Sequence, residues 1–302
     1  MKFGISLPLV HQMPGQDAWQ MSEDPAPIVA VARQADELGF AWLPCSDHAL
    51  VPARLAPVMG ATWYDPATTL AFVAAITQRV RLLTHVIVLP YHHPAHVAKQ
   101  YATLDRLSGG RVILGVGAGH LGPEFRALGA PFEERGAVAD ESLRIIKSLW
   151  TQEEVSFAGE RYEFSEMMLA PRPVQRPHPP VWVGGNSRRA ARRAVELGDG
   201  WVPFQVSLEE LKERLDYARR LPAFERAAAF DIVVPATVEL TAKPLDGERA
   251  SFAGSPEQVI DDFRAYQELG VTGATVGLRS HSLDDYLEQM ERFAREVMPP
   301  LS

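Results

Sequence analysis

The segment from Leu104 to Gly119 restricts the possible folds of this chain more than any other. It reads as the end of an apolar helix, a glycine pair at 109 and 110, and a short strand over 111–116. Glycine lacks a Cβ and takes the left-handed conformation that often ends helices, so the pair predicts an abrupt helix end. The strand leads into a loop that carries glycines at 115, 117 and 119. In α/β proteins, such a loop at the carboxyl end of a strand lets a ligand approach the backbone closely.

The same alternation of a short apolar strand and an amphipathic helix recurs along the chain. Strands are predicted over residues 2–7, 41–45, 80–89, 111–116, 181–183, 200–202, 231–238 and 273–278. The helices that follow them are predicted over residues 26–38, 66–77, 94–107, 135–149, 187–197, 207–220, 256–269 and 283–297. Residues 46–64 are expected to form a long loop. Residues 155–164 alternate like a β-hairpin, and the proline-rich stretch 171–180 predicts a stiff connector.

This order of elements predicts an α/β protein with a single domain over residues 1–302, a (β/α)8 TIM barrel with an insertion after the fourth helix. The insertion comprises the hairpin and the proline-rich connector. An open, doubly wound sheet is the alternative. A dinucleotide-binding sheet would need glycines after the first strand, where this chain has Pro8 and His11.

Composition excludes several classes of function. With a net charge of −8, the chain lacks the basic surface of a general nucleic-acid-binding protein. No stretch approaches the roughly 18 consecutive apolar residues of a membrane span, and the first residues do not resemble a signal peptide. The single cysteine, Cys45, cannot form an internal disulfide and is expected in the core. We therefore expect a cytoplasmic protein that acts on a small molecule, without nucleic-acid or membrane partners.

Polar side chains follow the predicted strands, where a barrel builds its active site, and one, His85, lies within the third strand. These residues are Ser46, Asp47, His48, His85, His92, His93, His120, Glu124, Asn186, Ser187, Arg279 and His281. Asp47 and His48 suit proton transfer, because an imidazole donates and accepts protons near neutral pH. Asp47 could also simply cap the next segment, with His48 packed beside it. The histidines lack the spacing of a metal site, so no metal is predicted.

The sequence Gly184-Gly185-Asn186-Ser187 opens a helix directly after the fifth strand. Free backbone N–H groups and the helix dipole predict a phosphate site there, although Asn186 or Ser187 could also serve as an ordinary helix cap. The same helix carries arginines at 188, 189, 192 and 193. These arginines could contact a phosphate or an acidic tail of a cofactor, or form a solvated helix face.

Together these motifs resemble the luciferase-like monooxygenase superfamily, and within it the branch that uses the deazaflavin coenzyme F420. The motifs that carry the resemblance are Ser46-Asp47-His48, residues 103–111, Gly115-Val116-Gly117, Glu124-Phe125, residues 171–175, Gly184-Gly185 and Asp199-Gly200-Trp201. The resemblance implies a homodimeric barrel that holds the cofactor ring at its mouth, against a bulged third strand. It also implies a cis peptide bond between His85 and Val86.

The resemblance further assigns roles to individual residues. The residues that it implies for cofactor binding are Asp47, Thr84, His85, Val86, Gly117, Gly184, Gly185, Asn186 and Ser187. Asp47 and His48 match the pair that contacts the deazaflavin head group. His120 stands where several relatives carry a glutamate proton donor, and Tyr91-His92 stands where Tyr-Arg is frequent.

The implied reaction is a hydride transfer between F420 and a small organic substrate. His48 or His120 would move the accompanying proton, and Asp47 would hold either the ring edge or His48. Trp63 and Tyr64 would exclude water. Two alternatives remain: an FMN-dependent monooxygenase, since FMN also presents a ring and a phosphate to the same loops, and a non-catalytic protein that binds flavin or deazaflavin.

Overall fold

A ring of parallel strands surrounded by helices occupies the centre of the computed structural model, which describes residues 1–226 and 230–302. Within these residues the strands are β1 (Lys2–Ile5), β2 (Trp42–Cys45), β3 (Arg81–Thr84), β4 (Ile87–Val88), β5 (Val112–Gly117), β6 (Val155–Ala158), β7 (Glu163–Met167), β8 (Val181–Gly184), β9 (Gly200–Val202), β10 (Asp231–Leu240), β11 (Ala253–Gly254) and β12 (Gly273–Leu278). The helices are α1 (Ala26–Leu38), α2 (Ala56–Met59), α3 (Pro66–Ile76), α4 (Pro94–Leu107), α5 (Gly122–Ala127), α6 (Arg135–Thr151), α7 (Arg188–Leu197), α8 (Leu208–Arg219), α9 (Pro256–Glu268) and α10 (Leu283–Glu296).

The strand order confirms the predicted barrel. Neighbouring strands pair in parallel in the order β1-β12-β10-β9-β8-β5-β3-β2, and β4 also pairs with β5. The N–H group of Ala41, just before β2, donates a hydrogen bond of 2.6 Å to the carbonyl of Phe3 in β1. This bond nearly closes the ring. The antiparallel hairpin β6-β7 follows α6, so the insertion lies where the sequence predicts it.

Two tryptophans fill the interior of the barrel near the amino-terminal ends of its strands. The rings of Trp42 and Trp182 meet edge to face with centroids 5.1 Å apart, and Trp42 Nε1 donates to Thr275 Oγ1 at 2.9 Å. A Cβ atom on Gly4 would lie 1.9 Å from Trp42 Nε1, so β1 passes the indole only because this residue is glycine. The interior is therefore a packed core, and ligands are confined to the mouth.

Several boundaries differ from the prediction. The third strand is interrupted at His85-Val86, where the peptide bond is cis as the resemblance implies. The predicted loop over 46–64 contains the short helix α2, and α5 is an additional helix that apolar periodicity did not reveal because it spans fewer than two turns. Within the described residues, no helix is long and apolar enough to cross a membrane.

Candidate active site

The break in the third strand is held from both neighbouring strands. On one side, Ser46 Oγ donates to the carbonyl of His85 at 2.8 Å, and the His85 N–H donates to the carbonyl of Cys45 at 2.7 Å. On the other side, the buried Thr84 hydroxyl donates to the carbonyl of Gly115 at 2.7 Å. The Thr84 hydroxyl is thus bonded within the barrel wall, and its predicted contact with a cofactor remains a prediction.

Val86 extends from this break across the barrel mouth. A Cβ atom on Gly117 would lie 2.7 Å from Val86 Cγ2, and one on Gly184 would lie 2.8 Å from Val86 Cγ1. Both distances are too short for real atoms, so the two glycines make room for the valine side chain. The structure therefore brings together Val86, Gly117 and Gly184, to which the resemblance assigns cofactor binding. Gly117 and Gly184 end β5 and β8, and Val86 lies between β3 and β4.

Asp47 joins the end of β2 to the segment after the break. Its carboxylate is buried, and Oδ2 accepts hydrogen bonds from the Val88 N–H at 2.9 Å and from His92 Nε2 at 2.8 Å. Of the two roles predicted for Asp47, holding His48 is wrong, because His48 Nδ1 bonds a different acid. Contact of Asp47 with the ring edge of a cofactor remains a prediction. His92 supplies a hydrogen-bond partner for Asp47.

The acid that holds His48 is Glu124, at the start of α5. Glu124 is 1% exposed, and its Oε2 lies 2.8 Å from His48 Nδ1 and accepts from the Tyr91 hydroxyl at 3.0 Å. Its Oε1 accepts from the N–H groups of Ala49 at 2.7 Å and Leu50 at 3.1 Å. Four hydrogen bonds therefore fix one buried carboxyl group and, with it, the orientation of the His48 ring.

The protonation of Glu124 follows from these contacts. Burial alone would raise the pKa of Glu124, but hydrogen bonds from His48 and Leu50 together lower it below its ordinary value. Burial, and then the Glu124 charge, raise the pKa of Tyr91, which therefore remains a donor. An ionised carboxylate only accepts, so the proton on neutral His48 resides on Nδ1. His48 Nε2 is then left as a base.

Four aromatic rings lie side by side across the loops that follow β1, β2 and β5. We call His11, Trp63, His48 and His120 the ring row. Trp63 is in the middle, stacked on His11 with centroids 5.4 Å apart and edge to face with His48 at 4.5 Å. His48 and His120 meet edge to face at 6.2 Å. A β-bridge between His11 and Trp63 fixes the two loops that carry them.

Three imidazoles at the mouth, those of His11, His85 and His120, have a pKa below the ordinary value and are therefore mainly neutral at pH 7. Burial lowers the pKa of His11, and burial with a smaller effect from His11 lowers the pKa of His85 to about 4. Partial burial and the neighbouring His48 lower the pKa of His120. Each of these rings therefore offers one donor and one acceptor without carrying a charge.

On the opposite side of the mouth, the polar side chains are already bonded. Asn186 uses its amide on the backbone of Phe204, accepting from the N–H at 2.8 Å and donating to the carbonyl. Ser187 caps α7 by accepting from the Ala190 N–H at 3.1 Å. Within the described part of the chain, the backbone N–H groups of residues 186–189 have no hydrogen-bond partner. They leave an anion-binding position at a helix N-terminus.

The arginines of α7 divide into two kinds. Arg193 is buried and donates to Asp140 and to the carbonyl of Gly136, the latter at 2.8 Å, so it is structural. Arg188, Arg189 and Arg192 are exposed and remain candidates for contact with an anion.

Other predicted polar residues lie outside the site. Arg279 and His281 are largely exposed, and His93 caps α4. No group of three or more potential metal ligands occurs among the described side chains.

Sequence reasoning missed three features of this site. It noted Glu124 as a residue after the fourth strand but did not identify its contact with His48. It treated His11 only as a residue that replaces a glycine, and it did not pair Trp63 with any imidazole. The spacing of His11 from β1 was the available signal, since a side chain just past a barrel strand lies at the mouth.

Comparisons with known proteins identify the family and support the fold. The sequence model of the luciferase-like monooxygenase family matches residues 1–244. An FMNH2-dependent dimethylsulfone monooxygenase of Pseudomonas putida is 34% identical over 193 residues, or 63% of this chain and 51% of that protein, so the match spans about half of its length. An F420-dependent glucose-6-phosphate dehydrogenase of Amycolatopsis mediterranei is 31% identical over 281 residues, covering 90% of this chain and 78% of the relative. The monooxygenase RslO1 of Streptomyces bottropensis superposes over both whole chains with a TM-score of 0.83 at 25% identity.

Proposed function

Because the chain belongs to the luciferase-like monooxygenase family, we propose that it is an F420-dependent oxidoreductase acting on a small organic substrate. The observation that carries the proposal is the Glu124–His48 pair, a buried carboxylate that leaves an imidazole nitrogen free as a base. Proton transfer of this kind accompanies hydride transfer to or from an alcohol or carbonyl carbon. The F420-dependent relative, which aligns with 90% of this chain, supports the choice of cofactor.

The residues present fit such a cofactor. The unbonded N–H groups of residues 186–189 would hold its phosphate, and the exposed Arg188, Arg189 and Arg192 would lie close to an acidic tail. The break at His85-Val86 and the adjoining Gly117 and Gly184 would face its ring. When bound, F420 supplies the ring carbon that accepts or returns a hydride.

His48 moves the proton that accompanies the hydride. In the oxidative direction, His48 Nε2 would accept the hydroxyl proton of an alcohol, and a bound F420 would supply the acceptor for the hydride from the alcohol carbon, so that a carbonyl compound would be formed. In the reductive direction, the carbonyl compound would receive the hydride and the proton. Glu124 holds His48 at Nδ1 and stabilises the imidazolium form, and Trp63 covers one edge of the ring. His120, 6.2 Å from His48 between centroids, is the second candidate for this role.

An FMN-dependent monooxygenase is the second candidate function. The 34% identity to an FMNH2-dependent monooxygenase favours it, and the same anion-binding position would accept the FMN phosphate. A non-catalytic protein that binds either cofactor would use the same loops.

The test is a titration of the protein with F420 and, separately, with FMN, followed by cofactor fluorescence. We expect micromolar binding of F420 and weaker binding of FMN. Reduced F420 bound to the protein should not consume oxygen. Preference for FMN with oxygen consumption would assign the protein to the monooxygenases, and binding without turnover of any alcohol or carbonyl compound would support the non-catalytic alternative.

The role of His48 is tested with His48→Gln. This variant should bind F420 normally and lose most of its turnover. His281→Gln is the matched control, because His281 is another histidine at a strand end but is 94% exposed. Normal turnover in His48→Gln would move the proton-transfer role to His120.

We also propose that the protein is a homodimer located in the cytoplasm. The exposed face of α3 carries Ala71, Phe72 and Ala75 and no charged residue, which suits a subunit contact. Cys45 is buried and unbridged, which is compatible with a reducing compartment. Light scattering on the purified protein tests the dimer.

A further inference from the structure

The ring row extends beyond what proton transfer requires. His48 alone serves the proposed reaction, yet Trp63 lies between it and His11, and the three rings are in continuous contact. His11, Trp63 and His48 are half-buried, and His120 at the far end is the most exposed of the four. The row therefore forms an aromatic wall, one end of which is open to solvent.

One polar group in this wall lacks a partner. The Trp63 Nε1–H is buried and has no acceptor among the described residues. Most buried donors are satisfied. The Nε1–H groups of Trp19 and Trp182 also lack an acceptor among the described residues, but of the three only Trp63 lies in the ring row. A carbonyl or hydroxyl oxygen of a ligand held within the row would supply the missing acceptor.

The charged side chains around the wall all have partners already. Asp47 bonds His92 and Val88, and Glu124 accepts four hydrogen bonds. Arg135, near His120, donates to the carbonyls of Gly119 and Phe132 and lies 4.2 Å above the Phe132 ring. Among the described residues, a charged substrate group placed at the wall would have to compete with these hydrogen bonds for a counter-ion, and burying it unpaired would be unfavourable.

We propose that the ring row binds a flat, uncharged organic substrate through a carbonyl or hydroxyl group. This inference rests on the proposed function, since it names the class of substrate for the same site. Stacking on Trp63 and His11 selects a planar compound. The imidazoles of His11 and His120 are mainly neutral, so they donate to and accept from an uncharged oxygen, whereas a carboxylate or phosphate would pair only with a protonated ring.

Three probes of matched size test the inference by calorimetry on the F420-loaded protein. They are 2-acetylnaphthalene, the carboxylate 2-naphthoate, and the ring-saturated ketone 2-acetyldecalin. We expect the aromatic ketone to bind at least about tenfold more tightly than each of the other two. Equal or tighter binding of 2-naphthoate, or no binding of the aromatic ketone, would overturn the proposal.

Two variants test whether the probes bind at the ring row. Trp63→Leu should weaken binding of 2-acetylnaphthalene at least about tenfold, and His11→Lys should strengthen binding of 2-naphthoate by adding a cation. If Trp63→Leu does not fold, Trp63→Phe, which keeps an apolar ring but loses the N–H, replaces it and should weaken the ketone severalfold. Unchanged ketone affinity in the folded variant would contradict the proposal.

The same titrations without F420 separate this inference from the proposed function. A preference for the uncharged aromatic ketone in a protein that fails to bind F420 would preserve the wall and reject the cofactor. Normal F420 binding with no preference among the probes would reject substrate binding at the wall and preserve the proposed cofactor.

Discussion

The two sides of the barrel mouth offer a ligand different chemical groups. On the imidazole side, which comprises the ring row with Asp47, His85, Tyr91 and Glu124, buried carboxylates orient side chains whose remaining atoms face outward. On the helix side, residues 184–189, the polar side chains of Asn186 and Ser187 are bonded to the backbone. The groups left free there are backbone N–H groups.

The two sides of the mouth are therefore suited to two different tasks. An oriented imidazole can gain and lose a proton, so the imidazole side is suited to chemistry. Backbone N–H groups at a helix N-terminus do not titrate, so the helix side is suited to holding an anion at every pH at which the protein is folded. Substitutions on the imidazole side should therefore alter kcat, whereas those on the helix side should alter affinity for the cofactor.

The largest effect is expected from Glu124→Gln. The amide can no longer accept from His48, Ala49 and Leu50 at once, so the orientation and the basicity of His48 are both lost. We expect kcat to fall by about 10²-fold or more with a nearly unchanged Kd for F420. The acidic limb of the pH–rate profile should also move, which a purely structural defect would not cause.

Glu213→Gln is the matched control for this variant, because the Glu213 side chain is 77% exposed. It should leave the rate and the pH profile unchanged. A normal kcat in Glu124→Gln would contradict the claim that the imidazole side carries out the chemistry.

The sequence was sufficient to predict the barrel and to indicate which end of it carries the candidate site residues. Strand and helix order follow from apolar periodicity and glycine ends, which are local signals, and the carboxyl-end rule then locates the mouth. The contacts within the site are not local. His48 and Glu124 are 76 residues apart in the chain, and Asp47 and His92 are 45 apart. No periodicity indicates which carboxylate approaches which imidazole.

The most distinctive segment of the sequence is mainly structural. Asp105 is fully buried and accepts the N–H groups of Val174 and Gln175, fixing the proline-rich connector against α4. The Arg111 guanidinium donates to the carbonyls of Ala74 and Val80 behind the barrel wall. Such side chains characterise a fold, but they do not touch the mouth, and this explains why a strong family signal leaves the substrate undetermined.

The next largest effect should come from Gly184→Ala, where the two sides meet. The new Cβ would lie 2.8 Å from Val86 Cγ1. The valine has no room to move away, because its Cγ2 already lies close to Gly117. We expect a loss of about 1–3 kcal/mol in the free energy of unfolding, as for other overpacked sites, and a cofactor Kd raised at least about tenfold.

Val86→Ala in the same chain should restore the stability of Gly184→Ala, because it removes the methyl group that clashes. Gly277→Ala serves as control, since its Cβ would meet only the Ser6 hydroxyl, at 3.6 Å. Failure of the double variant to regain thermal stability would show that Gly184 has a role other than making room for Val86.

A smaller effect is expected from acid. His85 has a pKa lowered from 6.5 to about 4, mainly by burial and further by His11. Between these values the unfolded chain binds a proton that the folded site excludes, so stability falls as the pH decreases from about 6.5 toward 4. Glu124, whose pKa is lowered from 4.5, adds to the loss only below about pH 4.5.

His85→Gln should therefore lose less thermal stability than the wild type on acidification. We expect the drop in Tm between pH 7 and pH 5 to be smaller by about 3 °C. The exposed His281→Gln variant should behave as the wild type. An equal drop in all three proteins would mean that His85 is not the acid-sensitive group.

The smallest effect is expected from Ser187→Ala on the helix side. Loss of this helix cap should lower the free energy of unfolding by about 1 kcal/mol, because the Ala190 N–H loses its acceptor. The backbone N–H groups of residues 186–189 remain, so the Kd for F420 should rise only about threefold, with kcat unchanged. Ser207→Ala removes the corresponding cap of α8 and should cost similar stability without any change in Kd. A complete loss of F420 binding in Ser187→Ala alone would mean that the hydroxyl itself holds the anion, and the helix side would then resemble the imidazole side in relying on a side chain.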